Sequence, residues 1–139
     1  MNNLGWTTLE QSKKLVEAGL NPNTADMYYY IDELSLIYDD ASYSDIVDLF
    51  NLDGMDDNLT PCWSLGALIG LMPDTISIGT KTYCLWINTI SCGYYRMKEN
   101  LPTSGDCLFS SFKYNNLNPI YECIVFLLEN NYINKGETK

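Results

Sequence analysis

"TISIGTKTYCLWINTISCGYYRMK", Thr75–Lys98, decides the fold class. Ile76 and Ile78 flank Ser77. Tyr83, Leu85 and Ile87 alternate with Cys84 and Trp86. Tyr95 and Met97 alternate with Tyr94, Arg96 and Lys98. A period of two puts successive side chains on opposite faces of a strand. Gly79-Thr80 and Ser91–Gly93 supply turn residues between the runs. The stretch predicts a three-stranded antiparallel meander over about 75–98, one face inward and the other mixed.

Three helical patterns flank this block. At the N-terminus Thr7 with Glu10, or Thr8 with Gln11, forms a capping box. Leu9, Ser12, Val16 and Leu20 make one stripe with Leu15 beside it. Gly19 is placed to end the helix in the left-handed region, and Pro22 blocks its continuation, so a helix over about 8–18 is expected. In "LTPCWSLGALIGLMP", 59–73, Thr60 suits an N-cap, Pro61 the first helical position and Pro73 the stop. Leu65, Leu68, Ile69 and Met72 complete a helix at about 62–72, with Gly66 and Gly70 read as points of close packing on a sheet. Asn118-Pro119 opens a third helix, about 118–130. Its stripe is Ile120, Cys123, Ile124, Leu127 and Leu128, and Val125 and Phe126 make it apolar on most sides.

Between these lie weaker signals. Met27–Ile31, "MYYYI", reads as a strand pairing with Leu34–Tyr38 across a turn near Asp32-Glu33. Ser44–Phe50 reads as a short helix capped by Ser44. Pro102–Gly105 reads as a loop, and Asp106 as the cap of a turn over Cys107–Phe112, whose Cys107, Leu108 and Phe109 pack into the core. The expected fold is α+β: one domain over 1–139, a mainly antiparallel sheet of three to five strands against three helices, and a frayed tail at 134–139. A chain of this length buries roughly two thirds of its unfolded surface.

The charge is uneven. Eighteen acidic and eight basic residues leave −10, and no Lys or Arg occurs between Leu15 and Thr80, where twelve carboxylates fall. Such a surface repels nucleic-acid phosphates and anionic membranes, so neither is an expected partner. The N-terminus has no basic segment followed by an apolar one, and no apolar run approaches the roughly 20 residues of a membrane span. A cytoplasmic location follows as the expectation. Five cysteines with no C-x-x-C spacing read as free, mostly buried thiols.

Gly105–Phe109, "GDCLF", resembles the nucleophile segment of OTU-type cysteine proteases. A cysteine nucleophile needs a base, and the chain contains no histidine. The same absence removes serine triads and His-ligated metals. Asp39-Asp40 and Asp56-Asp57 are adjacent carboxylates with nothing to separate an acid from a base. Aligning Gly54 with the glycine of a calcium loop puts Leu49 at position 1 and Thr60 at position 12, so the first carboxylate and the bidentate glutamate are missing. No phosphate-binding glycine loop is present. No catalytic residue, metal or cofactor is expected.

Three segments together, "TTLEQSKKLVEAGLNPNTADMYY", "PCWSLGALIGLMP" and "ECIVFLLENNYI", resemble an uncharacterised family of small proteins carried by Bacteroides-type gut bacteria on phage or other mobile elements. The resemblance implies a bacterial or phage-encoded accessory protein and assigns no site residue.

The expectation is therefore a non-enzymatic accessory protein acting through protein–protein interaction. Its candidate contact residues are Tyr28, Tyr29, Tyr30, Asp39, Asp40, Asp56 and Asp57, since tyrosine offers apolar area with a polar tip and is favoured at interfaces. The alternatives are an acidic decoy that mimics nucleic acid and a carboxylate- or metal-dependent enzyme. The partner's identity and self-association into a homo-oligomer are left open by the sequence.

Overall fold

The computed structural model describes residues 5–38, 40–88, 91–98, 101–112 and 117–133. Helix α1, Leu9–Glu17, starts at the capping box Thr8–Gln11 and ends before Gly19, whose φ of +104° requires the freedom of glycine. Ser12 and Leu15 are its buried residues, and Val16 turns outward. Strands β1 (Met27–Tyr30), β2 (Glu33–Leu36) and β3 (Leu59–Cys62) form a three-stranded antiparallel sheet in the order β2-β1-β3. Helix α2, Tyr43–Asn51, is capped by Ser42 rather than Ser44. Asp45 returns the bond to the Ser42 N–H.

Strands β4 (Thr75–Ile78), β5 (Lys81–Ile87), β6 (Ser91–Lys98) and β7 (Leu101–Phe112) form a second antiparallel sheet in that order. The expected meander is present, with the β4–β5 turn at Gly79 (φ +62°). It gains a fourth strand where the sequence suggested a loop and a turn. Asp106 caps nothing: it lies in β7, accepting from Tyr83 and pairing with Arg96 at 3.4 Å and Lys81 at 3.9 Å. Ser91–Gly93 belongs to β6 rather than to a turn. Gly93 is needed there because a Cβ would come within 2.5 Å of the Phe109 carbonyl oxygen. Cys107 is exposed on β7 opposite Tyr95, so it does not pack into the core, although Leu108 and Phe109 do lean on it.

The third helix, α3, is shorter than expected, Leu65–Leu71. Thr60, Pro61 and Cys62 belong to β3, and Ser64 is the cap. The Asp26 carboxylate accepts from both the backbone N–H and the hydroxyl of Ser64 and so fixes the helix start. Pro61 sits on β3, an edge strand, where proline is tolerated. Gly66 and Gly70 are exposed, and a Cβ at Gly70 would meet nothing within 4 Å, so close packing is not their role. Helix α4, Leu117–Glu129, holds Pro119 in its first turn and ends at Asn131 in the left-handed region (φ +62°). The tail at 134–139 lies outside the described residues. Among the described residues no helix is long and apolar enough to cross a membrane.

The main core lies between the second sheet and α1, α3 and α4. Leu15, Trp63, Leu68, Tyr94, Cys123, Ile124, Leu127 and Leu128 are its centre. A smaller core, Met27, Tyr29 and Cys62 with Leu9 and Leu34, sits under the first sheet. One buried threonine joins the two. Thr7 Oγ1 lies 2.7 Å from the Ser12 hydroxyl and 3.4 Å from Cys62 Sγ, and accepts from the Trp63 N–H at 3.2 Å. Its backbone N–H donates to Trp63 O, and its carbonyl accepts from the Tyr29 hydroxyl at 2.8 Å.

Thr7→Val keeps the volume and removes the oxygen, leaving buried donors without partners. Each such group costs about 1–3 kcal/mol. Urea unfolding is expected to show a loss of roughly 2–4 kcal/mol, against about 1 kcal/mol for Thr8→Ala, which removes only a helix cap. Equal losses in the two variants would show that the buried cluster contributes no more than the cap.

Candidate functional site

The candidate tyrosines do not act as one group. Alternation along β1 turns Tyr29 inward with Met27, and turns Tyr28 and Tyr30 to the outer face. Tyr29 is 8% exposed, its hydroxyl spent on Thr7 O, which withdraws it from any contact surface. Tyr28 and Tyr30 are half-buried because Phe50 of α2 lies on them. Its ring is 5.9 Å from Tyr28 in an edge-on arrangement and 5.1 Å from Tyr30. Asp40 is exposed between β2 and α2, and Asp39 lies outside the described residues.

Phe50 begins a more informative feature. The chain leaves α2 through a tight turn in which Asp53 and Met55 both donate to the Phe50 carbonyl and Gly54 donates to Asn51 O, with Gly54 at φ +70°. A helical turn over Asp56–Asn58 follows, with Asn58 donating to Met55 O. The carbonyl of Asn58 then accepts from the Ile31 N–H at 2.9 Å. The β1–β2 turn, the end of α2 and the Asp56–Asn58 turn are thus tied into one end of the molecule. Asp56 and Asp57 belong to it, together with Asp32 and Asp53. Lys13 of α1 borders it across a small cavity of about 260 Å³ shared with Ile31 and Asp57.

This end exposes apolar side chains. Ile31 is 57% exposed, Leu52 83% and Met55 43%, and Leu49 of α2 is exposed as well. Ile31 is also strained: its φ is +59°, a region that a β-branched residue rarely enters and that glycine or asparagine fills without difficulty. The turn occupies Ile31-Asp32, one residue earlier than the sequence suggested. Local strain of this kind costs about 1–3 kcal/mol and collects at functional positions.

Of the residues the sequence singles out, Asp56 and Asp57 lie in the turn after α2 and Tyr28 and Tyr30 lie under Phe50, whereas Ile31, Phe50, Leu52 and Met55 are not among them. A usable signal was present: a two-residue gap between β-favouring runs calls for Asn or Gly, and isoleucine stands there instead. Among the described residues no group of three or more His, Cys, Asp or Glu side chains is arranged to hold a metal ion. Comparison with known proteins finds no matching family model, no matching curated protein and no matching solved structure.

Burial pushes the phenols of Tyr29 and Tyr43 up to about 12, Tyr29 with a further contribution from Cys62. Burial also raises Tyr94, and burial followed by Glu10 and Glu122 raises Tyr121. The thiol of Cys62 is raised by burial, and that of Cys123 by its contact with Cys92 and then burial. Every shift is upward, so these groups stabilise the fold below their ordinary values near 9 and 10 and lose that contribution as pH climbs through the folded values. The thermal midpoint is expected to hold from neutrality to about pH 9 and to fall steadily between about 10 and 12. A midpoint unchanged at pH 11 would contradict it.

Proposed function

We propose that this protein is a non-catalytic binding protein that takes a basic, apolar-bearing segment of a protein partner on the end formed by the β1–β2 turn, the end of α2 and the Asp56–Asn58 turn. The observation that carries the proposal is Ile31, a β-branched residue kept in left-handed backbone with more than half its surface in water. Folding alone favours glycine or asparagine there, and burial does not explain the isoleucine. A contact that covers it does.

The surroundings name the partner's chemistry. Ile31, Leu52 and Met55 are exposed apolar side chains in these turns, Met55 a flexible thioether, and each is able to pack against a partner's side chain. Asp32, Asp53, Asp56 and Asp57 lie in the same turns, and their charge attracts lysine and arginine and speeds encounter at low salt. The exposed apolar side chains set these turns apart from the surface of a nucleic-acid mimic, which needs carboxylates at phosphate-like spacing across the face.

The test compares capture by the wild-type chain with capture by Ile31→Gly/Leu52→Ser/Met55→Ser, its fold checked by circular dichroism. The wild type is expected to retain one protein stoichiometrically, with cross-links from Asp53–Asp57 to a Lys/Arg-bearing segment. The variant is expected to retain roughly tenfold less of it. Equal capture by both, or cross-links at another surface, would remove the proposal.

A further inference from the structure

The outer face of the second sheet carries a separate feature. Tyr83, Leu85 and Ile87 of β5 and Cys92 and Tyr94 of β6 turn into the main core, so alternation sends Trp86, Gly93 and Tyr95 to the opposite face. Trp86 stands opposite Gly93 in the register. A Cβ at Gly93 would lie 2.9 Å from Tyr95 Cε1, so the Tyr95 ring folds back over the glycine. Phe112, at the end of β7, stands opposite Ser91 and is exposed. Trp86, Tyr95, Phe112 and Pro102 line one groove of about 230 Å³, which Ser91 also borders.

Size and hydrogen bonding narrow what fits there. The volume is below the roughly 300–1,000 Å³ of sites that enclose a small molecule. The groove nevertheless follows β6 from Ser91 to Tyr95, about 13 Å at the rise of a strand. A narrow space of that length suits a chain segment laid along it. Asn88 Oδ1 is taken by the N–H and hydroxyl of Ser91, and the Tyr95 hydroxyl lies 2.7 Å from that of Ser110. The indole N–H of Trp86 has no acceptor among the described residues. No buried side-chain N–H there goes unpaired, so this donor is open to solvent.

We propose that this groove binds a proline-rich segment of a protein partner in the polyproline II conformation. About four residues of such a helix, at about 3.1 Å each, match its length. Proline rings pack on the aromatic side chains at small entropic cost, because the segment is already extended before it binds. Prolines present carbonyls and no N–H, and the Trp86 indole, a donor only, takes one of those carbonyls. Single-stranded nucleic acid also stacks on exposed rings, but its phosphates meet a chain of net charge −10. The inference does not depend on the partner surface at Ile31.

A decaproline peptide blocked at both ends tests it, titrated by NMR into the isotope-labelled full chain beside a glycine–serine peptide of equal length, maltotriose and hexathymidylate. Decaproline is expected to shift the Trp86 indole N–H and the amides of residues 91–95 and of Phe112, and to saturate at sub-millimolar concentration. The other three are expected not to saturate. Trp86→Phe keeps a ring and removes the donor, and should weaken decaproline about fivefold. Phe112→Ala removes an exposed ring and should weaken it roughly tenfold while the remaining spectrum stays native. No saturation by decaproline, shifts confined to other residues, equal binding of the glycine–serine peptide, tighter binding of maltotriose or hexathymidylate, or unchanged affinity in both variants would each overturn the proposal.

Discussion

The architecture depends on a buried hydroxyl. Thr7 is wholly inaccessible, yet its side chain and backbone meet Ser12 of α1, Tyr29 of β1, Cys62 of β3 and the Trp63 backbone. Every buried polar side-chain atom among the described residues finds a partner, and this cluster accounts for several of them. A dry polar group is tolerable only when it is fully paired, and pairing of that kind fixes one geometry where apolar packing permits several. Through Thr7 the first sheet is locked to α1 on one side and to Trp63, at the heart of the main core, on the other. The outer face of that sheet, with Phe50 on Tyr28 and Tyr30, inherits its position from this lock.

What could be read from the sequence was the local part of the fold. The capping box at Thr8 and Gln11, Gly19 after α1, the Gly79 turn and the alternation of β5 each depend on residues a few positions apart. The failures are non-local. Ser64 caps α3 with the support of Asp26, thirty-eight positions away in sequence, so the nearer pair Thr60-Pro61 looked better and was wrong. Strand β7 carries a proline and a glycine that argue for a loop. Pairing with β6 makes it a strand, at a glycine, Gly93, whose missing side chain lets the Phe109 backbone approach. Asp106, a turn cap by composition, becomes the partner of Arg96 and Lys81 only when β5, β6 and β7 come together.

The candidate surface was legible only in part for the same reason. Charge survives any folding, so the block of carboxylates without lysine or arginine is legible in the sequence, and Asp53, Asp56 and Asp57 of that block fall in the turns after α2. Alternation separated Tyr29 from Tyr28 and Tyr30, although it could not say which side was inward. The exposure of Ile31, Leu52 and Met55 emerged only with backbone geometry. Leu52 and Met55 look like core residues in sequence, and Ile31 looks like the end of a strand. Their exposure follows from the tight turn after Phe50 and from the bond between Ile31 and Asn58, neither of which has a composition signal.

The central claim is that Ile31 occupies its turn for the surface it presents and at some expense to folding. Urea unfolding of Ile31→Gly against the wild-type chain tests this most directly. Glycine relieves about 1–2 kcal/mol of left-handed backbone strain and gives back roughly 0.5–1 kcal/mol through the freer unfolded chain. Ile31→Gly is expected to be at least as stable as the wild type, by up to about 1 kcal/mol. A variant less stable by more than about 1 kcal/mol would mean that the Ile31 side chain holds the end of the molecule together, and the claim would fail.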